Sequence, residues 1–360
     1  MKKTKTIMLL VTYKCNLRCS YCYEPKIDGF CMTIDRAKKI VNDQLNCIGD
    51  NYDSVEIHFM GGEPLMEYPL IKEVAEWVWN KHFPYKITMF APTNGTLLSD
   101  EMKSWFRANR DKFRLGLSFD GDETMQNTNR TGSASKVDLD FFVSTYPEQS
   151  VKMTVSPKTV SSMADGIIFL HNMKFRHIRT DLAMGDTVIW DKTALLEYKR
   201  NLDLLSDYYI EHNEIEPVSL LNLDLKLVLT PPRKDIKACG CGESLICLDW
   251  TGKSYACHLF SPVTIPINKA KKSNRIYDFC DKTIFFSDKC SKCILNNICN
   301  HCVGMNYVCT GDVTNSPAEH CSAMKLQFVA NCRFRNRLAK KENDIKTIEL
   351  INNILNSISL

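Results

Sequence analysis

Three cysteines stand just behind an apolar run at positions 7–11. They are Cys15, Cys19 and Cys22, with three residues and then two between them. Thiolates bind zinc and iron–sulfur clusters. A cubane has four irons, so three thiolates on one short loop leave one iron open to something other than protein. A structural zinc loop or a redox dithiol would use the same residue type. Structural zinc wants four protein ligands, and the following stretch offers only the isolated Cys31 and Cys47.

Further on stands Phe59-Met60-Gly61-Gly62-Glu63-Pro64-Leu65. Two glycines let a backbone approach a ligand closely, and a carboxylate accepts from an ammonium. As plain sequence, Gly-Gly-Glu is also an ordinary tight turn. Asn94-Gly95 and Asp120-Gly121 read equally as turns. A second cysteine group starts with Cys239 and Cys241 and returns at Cys257, after Asp249-Trp250-Thr251-Gly252, a hairpin turn that brings one thiolate back toward the other. Downstream lie Cys290, Cys293, Cys299 and Cys302, then Cys321. Pairs spaced Cys-x2-Cys are also the form of zinc knuckles.

The elements that must position these residues alternate. Apolar strand-like runs fall at 6–12, 55–60, 86–91, 113–119, 151–156 and 177–182, with helical patterns at 34–45, 70–80, 99–109, 136–144 and 161–173 between them. Thr33 and Ser99 sit at N-cap positions. Such alternation predicts an α/β fold with a parallel sheet and right-handed crossovers, whose ligand sites open at the C-terminal ends of the strands. The motifs above fall at those ends. A longer helix after Asp191 carries Leu195, Tyr198, Leu202, Leu205 and Tyr209 on one stripe, expected to pack on the barrel. Ser316-Pro317-Ala318-Glu319 reads as a capping box opening a C-terminal helix. The expected domains are 1–225 for the barrel, 226–340 for the cysteine-rich part and 341–360 for a helical tail.

The chain has 360 residues, 44% hydrophobic and 10% aromatic, enough for one large and one smaller domain. A net charge of +4, from 46 basic and 42 acidic residues, gives no footprint for nucleic acid. No apolar run is long enough to span a membrane, and the basic N-terminus lacks the apolar stretch of a signal peptide. Seventeen cysteines in a chain expected to be cytoplasmic point to metal rather than disulfides.

The Cys15–Cys22 loop, with aromatic Tyr21 before its last cysteine, resembles the cluster loop of radical S-adenosylmethionine (SAM) enzymes. The later cysteines resemble the SPASM extension found on members of that family that modify peptides. Together the likeness covers about residues 6–335. It implies a partial (β/α)6 barrel followed by a small iron–sulfur domain. SAM would chelate the open iron. Tyr21, Gly61, Gly62 and Glu63 would lie against it, the last three at its amino group; Ser118 would meet the ribose hydroxyls, Arg130 would face SAM, and the adenine would lie near 179–184. Three [4Fe–4S] clusters are implied: one on Cys15, Cys19 and Cys22, one on Cys239, Cys241, Cys257 and Cys302, and one on Cys290, Cys293, Cys299 and Cys321. The family pattern has three residues between the cysteines matching Cys299 and Cys302, whereas this chain has two, so Cys309 competes with Cys302. Cys31, Cys47, Cys247, Cys280 and Cys332 are expected to be buried small apolar residues.

The implied activity is radical modification of a ribosomal peptide or protein, by cross-linking or oxidation, with electrons from a flavodoxin- or ferredoxin-type donor. With the cysteine loop starting at residue 15, no separate leader-binding domain is expected before the barrel. Two other readings compete: an anaerobic sulfatase-maturing enzyme, and a non-catalytic iron–sulfur electron carrier. Sulfatase-maturing enzymes carry Asp directly after the cysteine matching Cys257, where this chain has His258, and commonly Gln where it has Met60. Imidazole accepts a proton near neutral pH, which makes His258 the candidate catalytic base.

Overall fold

The computed structural model describes residues 3–49, 51–185, 187–231, 239–265, 285–299 and 302–358. All six expected strands form: β1 (Thr4–Thr12), β2 (Ser54–Gly61), β3 (Lys86–Thr93), β4 (Phe113–Leu117), β5 (Val151–Val155) and β6 (Ile178–Leu182). The connecting helices are α1 (Ile34–Asn46), α2 (Tyr68–Trp79), α3 (Asp100–Ala108), α4 (Glu123–Asn129), α5 (Leu139–Thr145) and α6 (Met163–Asn172). Thr33 and Ser99 do cap α1 and α3, their hydroxyls accepting from Arg36 N and Met102 N. The helix expected at 136–144 is shorter, because Asp138 caps it by accepting from Phe141 N. Helix α4 was not expected from the pattern.

The chain divides into two compact units, interleaved along the sequence. The first comprises Met1–Phe119, Arg130–Val151 and Cys239–Cys280. Its sheet runs β4-β3-β2-β1-β7-β8, where β7 is Leu245–Leu248 and β8 is Ser254–Tyr255. Strands β1 to β4 pair in parallel, in sequence order. Strand β7 lies parallel to β1, with Ile7 opposite Ile246, and β8 returns antiparallel with Tyr255 opposite Cys247. The expected hairpin is therefore present, and its first strand extends the parallel sheet. β1 is buried between neighbours on both edges; Ile7, Leu9, Leu10 and Val11 are fully buried, which explains why it reads as an uninterrupted apolar run rather than an alternating one.

The second unit comprises Asp120–Asn129, Lys152–Ala238 and Asp281–Leu360. In it β5 and β6 pair as a separate two-stranded sheet. Besides α4 and α6 it holds α7 (Lys192–Glu211), α8 (Asp288–Ser291), α9 (Val303–Thr310), α10 (Ala318–Glu342) and α11 (Ile345–Ile358). The expected stripe of α7 is buried at Tyr198, Leu202, Leu205 and Tyr209, but the helix packs chiefly on α10 and on the helical turn Val160–Ser162 that leads into α6. The capping box at 316–319 does not form. Helix α10 starts at Ala318 without a side-chain cap, and the Ser316 hydroxyl donates to Asn306 Oδ1 instead (3.2 Å). Asn343, at φ 58°, separates α10 from α11, the expected helical tail. Among the described residues no helix is long and apolar enough to cross a membrane.

His171 ties this unit together from inside: its Nε2 meets Tyr209 Oη at 2.8 Å and its Nδ1 meets the Phe175 carbonyl at 3.2 Å. Burial pushes its pKa below the ordinary 6.5. The folded state therefore favours the neutral ring, so its contribution is intact above that value and lost as pH falls. Acidification should destabilise the protein below pH 6.5, this one group adding up to about 1.4 kcal/mol per pH unit. Denaturant unfolding at pH 7.5, 6 and 5 should show a shallower acid loss in His171→Gln; equal slopes would contradict the assignment.

Candidate functional site

The cysteine loop leaves β1 with Tyr13, fully buried, whose hydroxyl donates to Ser261 Oγ at 2.6 Å. Leu17 is buried in the middle of the loop. Cys15 and Cys19 are half-buried and Cys22 is exposed. Leu17 N donates to Cys15 Sγ (3.5 Å) and Cys22 N to the Cys19 carbonyl (3.2 Å), which curls the loop. Burial pushes the Cys15 thiol pKa up, and the Leu17 hydrogen bond opposes that. The described cysteines form no disulfide.

Gly61 and Gly62 lie directly against this loop. Gly62 N donates to the Thr12 carbonyl (3.1 Å) and Glu63 N to the Lys14 carbonyl (2.8 Å). A Cβ on Gly61 would stand 1.8 Å from the Thr12 oxygen, and one on Gly62 2.3 Å from the Lys14 oxygen. Gly61 also has φ 148°, a conformation that favours glycine. The close approach these glycines allow is thus made by the protein's own backbone.

The Glu63 carboxylate is buried and occupied. Its Oε2 accepts from Asn94 N (2.7 Å), and its Oε1 from Leu65 N (3.0 Å) and Thr93 Oγ1 (2.9 Å). Burial pushes its pKa up to about 7, against the pull of these donors and of Arg130. Asn94 continues the chain of contacts: its Nδ2 donates to Asn16 Oδ1 (2.9 Å), and Asn16 Nδ2 donates to Thr96 Oγ1 (2.7 Å). Arg130 is buried, with its guanidinium 5.6 Å from the centre of the Tyr21 ring. Ser118 is half-buried and its N donates to the Thr93 carbonyl (2.9 Å). The loops after β1, β2, β3 and β4 thus meet at one edge of the sheet, where a parallel fold opens its ligand sites. Asn16 was not singled out from sequence, although its place between two cysteines was a signal.

Glu63→Gln would present an amide NH2 where one carboxylate oxygen now accepts. At least one buried donor would lose its acceptor, at a cost of about 1–3 kcal/mol. Denaturant unfolding at pH 8 should register that loss; an unchanged midpoint would show that these bonds do not hold the loops.

The later cysteines fall in both units. In the first, Cys241 is buried, and its thiol is hydrogen-bonded to those of Cys239 and Cys257, which pushes its pKa up. His258 follows Cys257, and its Nε2 is 3.0 Å from Tyr23 Oη, the rings 5.9 Å apart. Tyr23 is the residue directly after Cys22. His258 therefore stands beside the first cysteine loop, through a partner that sequence reading did not name. In the second unit Cys290, Cys293, Cys299 and Cys321 form a group. Burial first, and then the neighbouring thiols of Cys321, Cys290 and Cys293, push the Cys299 thiol up to about 12. Cys302 is the N-cap of α9, its Sγ accepting from Met305 N at 3.4 Å, and Cys309 lies within that helix.

Of the cysteines expected to be small buried residues, Cys247 and Cys332 are buried. Cys47 is exposed at the end of α1, and Cys31 is half-buried, its thiol donating to Glu67 Oε1 (3.4 Å). Cys280 lies outside the described residues.

Among the described residues no group of three or more His, Cys, Asp and Glu side chains is arranged to hold a metal ion. A cubane makes a different demand, since it bonds each thiolate to a different iron. The donor set at 15–22, three thiols outside any disulfide on one loop, has the chemistry for three irons of such a cluster. The four grouped thiols of the second unit have it for all four.

Residues 9–138 match the model of the radical SAM superfamily. The cysteine-type anaerobic sulfatase-maturating enzyme of Clostridium novyi is 27% identical over 197 residues, 50% of this chain and 51% of that one. A GTP 3′,8-cyclase of Clostridium perfringens is 26% identical over 180 residues, 48% of this chain and 52% of that one. The chain thus spans about half the length of these curated relatives. Among solved structures, anSMEcpe with bound AdoMet superposes with a TM-score of 0.68 at 16% identity, over 97% of this chain and 98% of that one. The same protein has been solved with a bound peptide. SuiB of Streptococcus suis gives 0.60 at 14% identity over 88% and 77%, and has been solved with its precursor peptide SuiA. At these identities the structural likeness is one of fold. The cysteine loop and the Gly-Gly-Glu turn locked onto it both fall within residues 9–138, the stretch that matches the radical SAM superfamily.

Proposed function

We propose that this chain is a radical SAM enzyme that modifies a peptide or protein substrate and carries two auxiliary [4Fe–4S] clusters. The observation that carries the reading is the three-thiol loop clamped to Gly61-Gly62-Glu63 by main-chain bonds and by the Glu63–Asn94–Asn16 chain. Cys15, Cys19 and Cys22 would hold the first cluster, and SAM would supply the 5′-deoxyadenosyl radical. The Glu63 carboxylate already accepts from Leu65 N, Thr93 Oγ1 and Asn94 N, which fixes the turn where it would face the SAM ammonium. Ser118 takes the ribose, and Tyr21 and Arg130 close the same edge.

Cys239, Cys241 and Cys257 are assigned to one auxiliary cluster, and Cys290, Cys293, Cys299 and Cys321 to the other. Their chemistry suits an outlet for the electron left on the substrate radical, while an external flavodoxin- or ferredoxin-type donor would supply the electron that the first cluster needs. His258 takes the substrate proton, oriented by the Tyr23 hydroxyl at its Nε2. A peptide substrate is supported by the fold shared with anSMEcpe and SuiB, both of which have been solved with peptides bound. Sulfatase maturation is the second reading, favoured by the same fold match; the imidazole of His258 in place of a carboxylate argues for another substrate.

Anaerobically reconstituted protein should carry about twelve irons per chain, as three cubanes require. Replacing Cys15, Cys19 and Cys22 by Ala should remove about a third of them and abolish formation of 5′-deoxyadenosine. Stoichiometric zinc with little iron would overturn the reading. A sulfatase-type Cys or Ser peptide, incubated with reduced enzyme and SAM, should not become formylglycine. Efficient loss of two hydrogens with aldehyde formation would restore the sulfatase assignment.

A further inference from the structure

Helix α10 opens with Glu319, His320 and Cys321. Cys321 belongs to the group of four thiols, and the residue beside it points into the same group. His320 Nε2 lies 3.8 Å from Cys299 Sγ, within hydrogen-bond reach of sulfur. That contact is the only hydrogen bond of the His320 side chain among the described residues. We propose that His320 is a tuning residue for the cluster of Cys290, Cys293, Cys299 and Cys321, donating its Nε2–H to the Cys299 thiolate. The inference rests on the reading that these four thiols hold a cubane.

The direction of the bond follows from the partners. A cluster-bound Cys299 is a thiolate, which can only accept. A neutral imidazole has one N–H, so facing the thiolate it carries that proton on Nε2. The bond draws electron density from the sulfur. The reduced cluster, one negative charge richer, gains more from it than the oxidised one, so the bond raises the reduction potential. Four thiolates from this unit already satisfy a cubane, so the ring acts through Cys299 rather than on iron. The cluster therefore accepts an electron more readily than its four thiolates alone would allow.

Redox titration of the reconstituted full-length protein, followed by electron paramagnetic resonance, tests this. The signal is assigned by its loss in Cys293→Ala. His320→Leu removes the donor, and its midpoint should fall, with the wild-type iron content retained. A tenfold drop in the reduced-to-oxidised ratio at a fixed potential corresponds to about 59 mV for one electron. His320→Gln keeps an N–H and should recover part of the shift, which a purely packing role would not predict. An unshifted midpoint in His320→Leu at full iron content overturns the inference. So does loss of about four irons in His320→Leu but not in Cys299→Ala, since the ring would then be the ligand. A wild-type chain with no cluster at these thiols overturns this inference and the auxiliary-cluster assignment together. An intact cluster without 5′-deoxyadenosine formation overturns the enzyme reading alone and leaves this one standing.

Discussion

The structure of the first unit depends on how closely the chain at Thr12–Lys14 lies on Gly61–Gly62. No side chain fits between them, since a Cβ would sit 1.8 Å or 2.3 Å from a carbonyl oxygen. Two main-chain bonds hold this contact, and the buried Glu63 carboxylate fastens it to the end of β3. A buried carboxylate costs free energy unless it is hydrogen-bonded, and three donors, on both of its oxygens, offset that cost here. The result is a cysteine loop whose position is set by the sheet rather than by its own short sequence. That rigidity matters for any site that must present three thiolates to one cluster and still leave an opening.

The parallel sheet then does the rest of the positioning. Its strands all point the same way, so the loops after β1, β2, β3 and β4 share one edge, and Tyr21, Arg130, Ser118 and Asn94 arrive there from distant parts of the chain. The hairpin of β7 and β8 adds to the same sheet at β1, which brings Cys257 and His258 to the side of the first cysteine loop. A residue from the cysteine-rich stretch thereby becomes a neighbour of the radical SAM domain.

Much of this was legible because the chemistry is local. Thiols that share a cluster must be close, so Cys15, Cys19 and Cys22 announce themselves in eight residues. The strand β1 was legible because both its faces are buried, and the turn after β2 because Gly61 and Gly62 have no room for a Cβ. What sequence did not reveal is long-range. The partners of Glu63 lie some thirty residues away and those of His258 more than two hundred. Leu245–Leu248 is too short an apolar run to declare that it pairs with β1. The capping box at 316–319 failed because Ser316 found a better partner in Asn306, a tertiary contact overriding a local signal.

The central claim is that the three-thiol loop holds a cluster with an iron open to SAM. Electron–nuclear double resonance on the reduced protein, with SAM labelled with 15N in its amino group, tests it most directly. Direct coordination predicts a strong 15N coupling to the cluster spin, absent when Cys15, Cys19 and Cys22 are replaced by Ala. A reduced, SAM-saturated cluster with no such coupling would contradict the account.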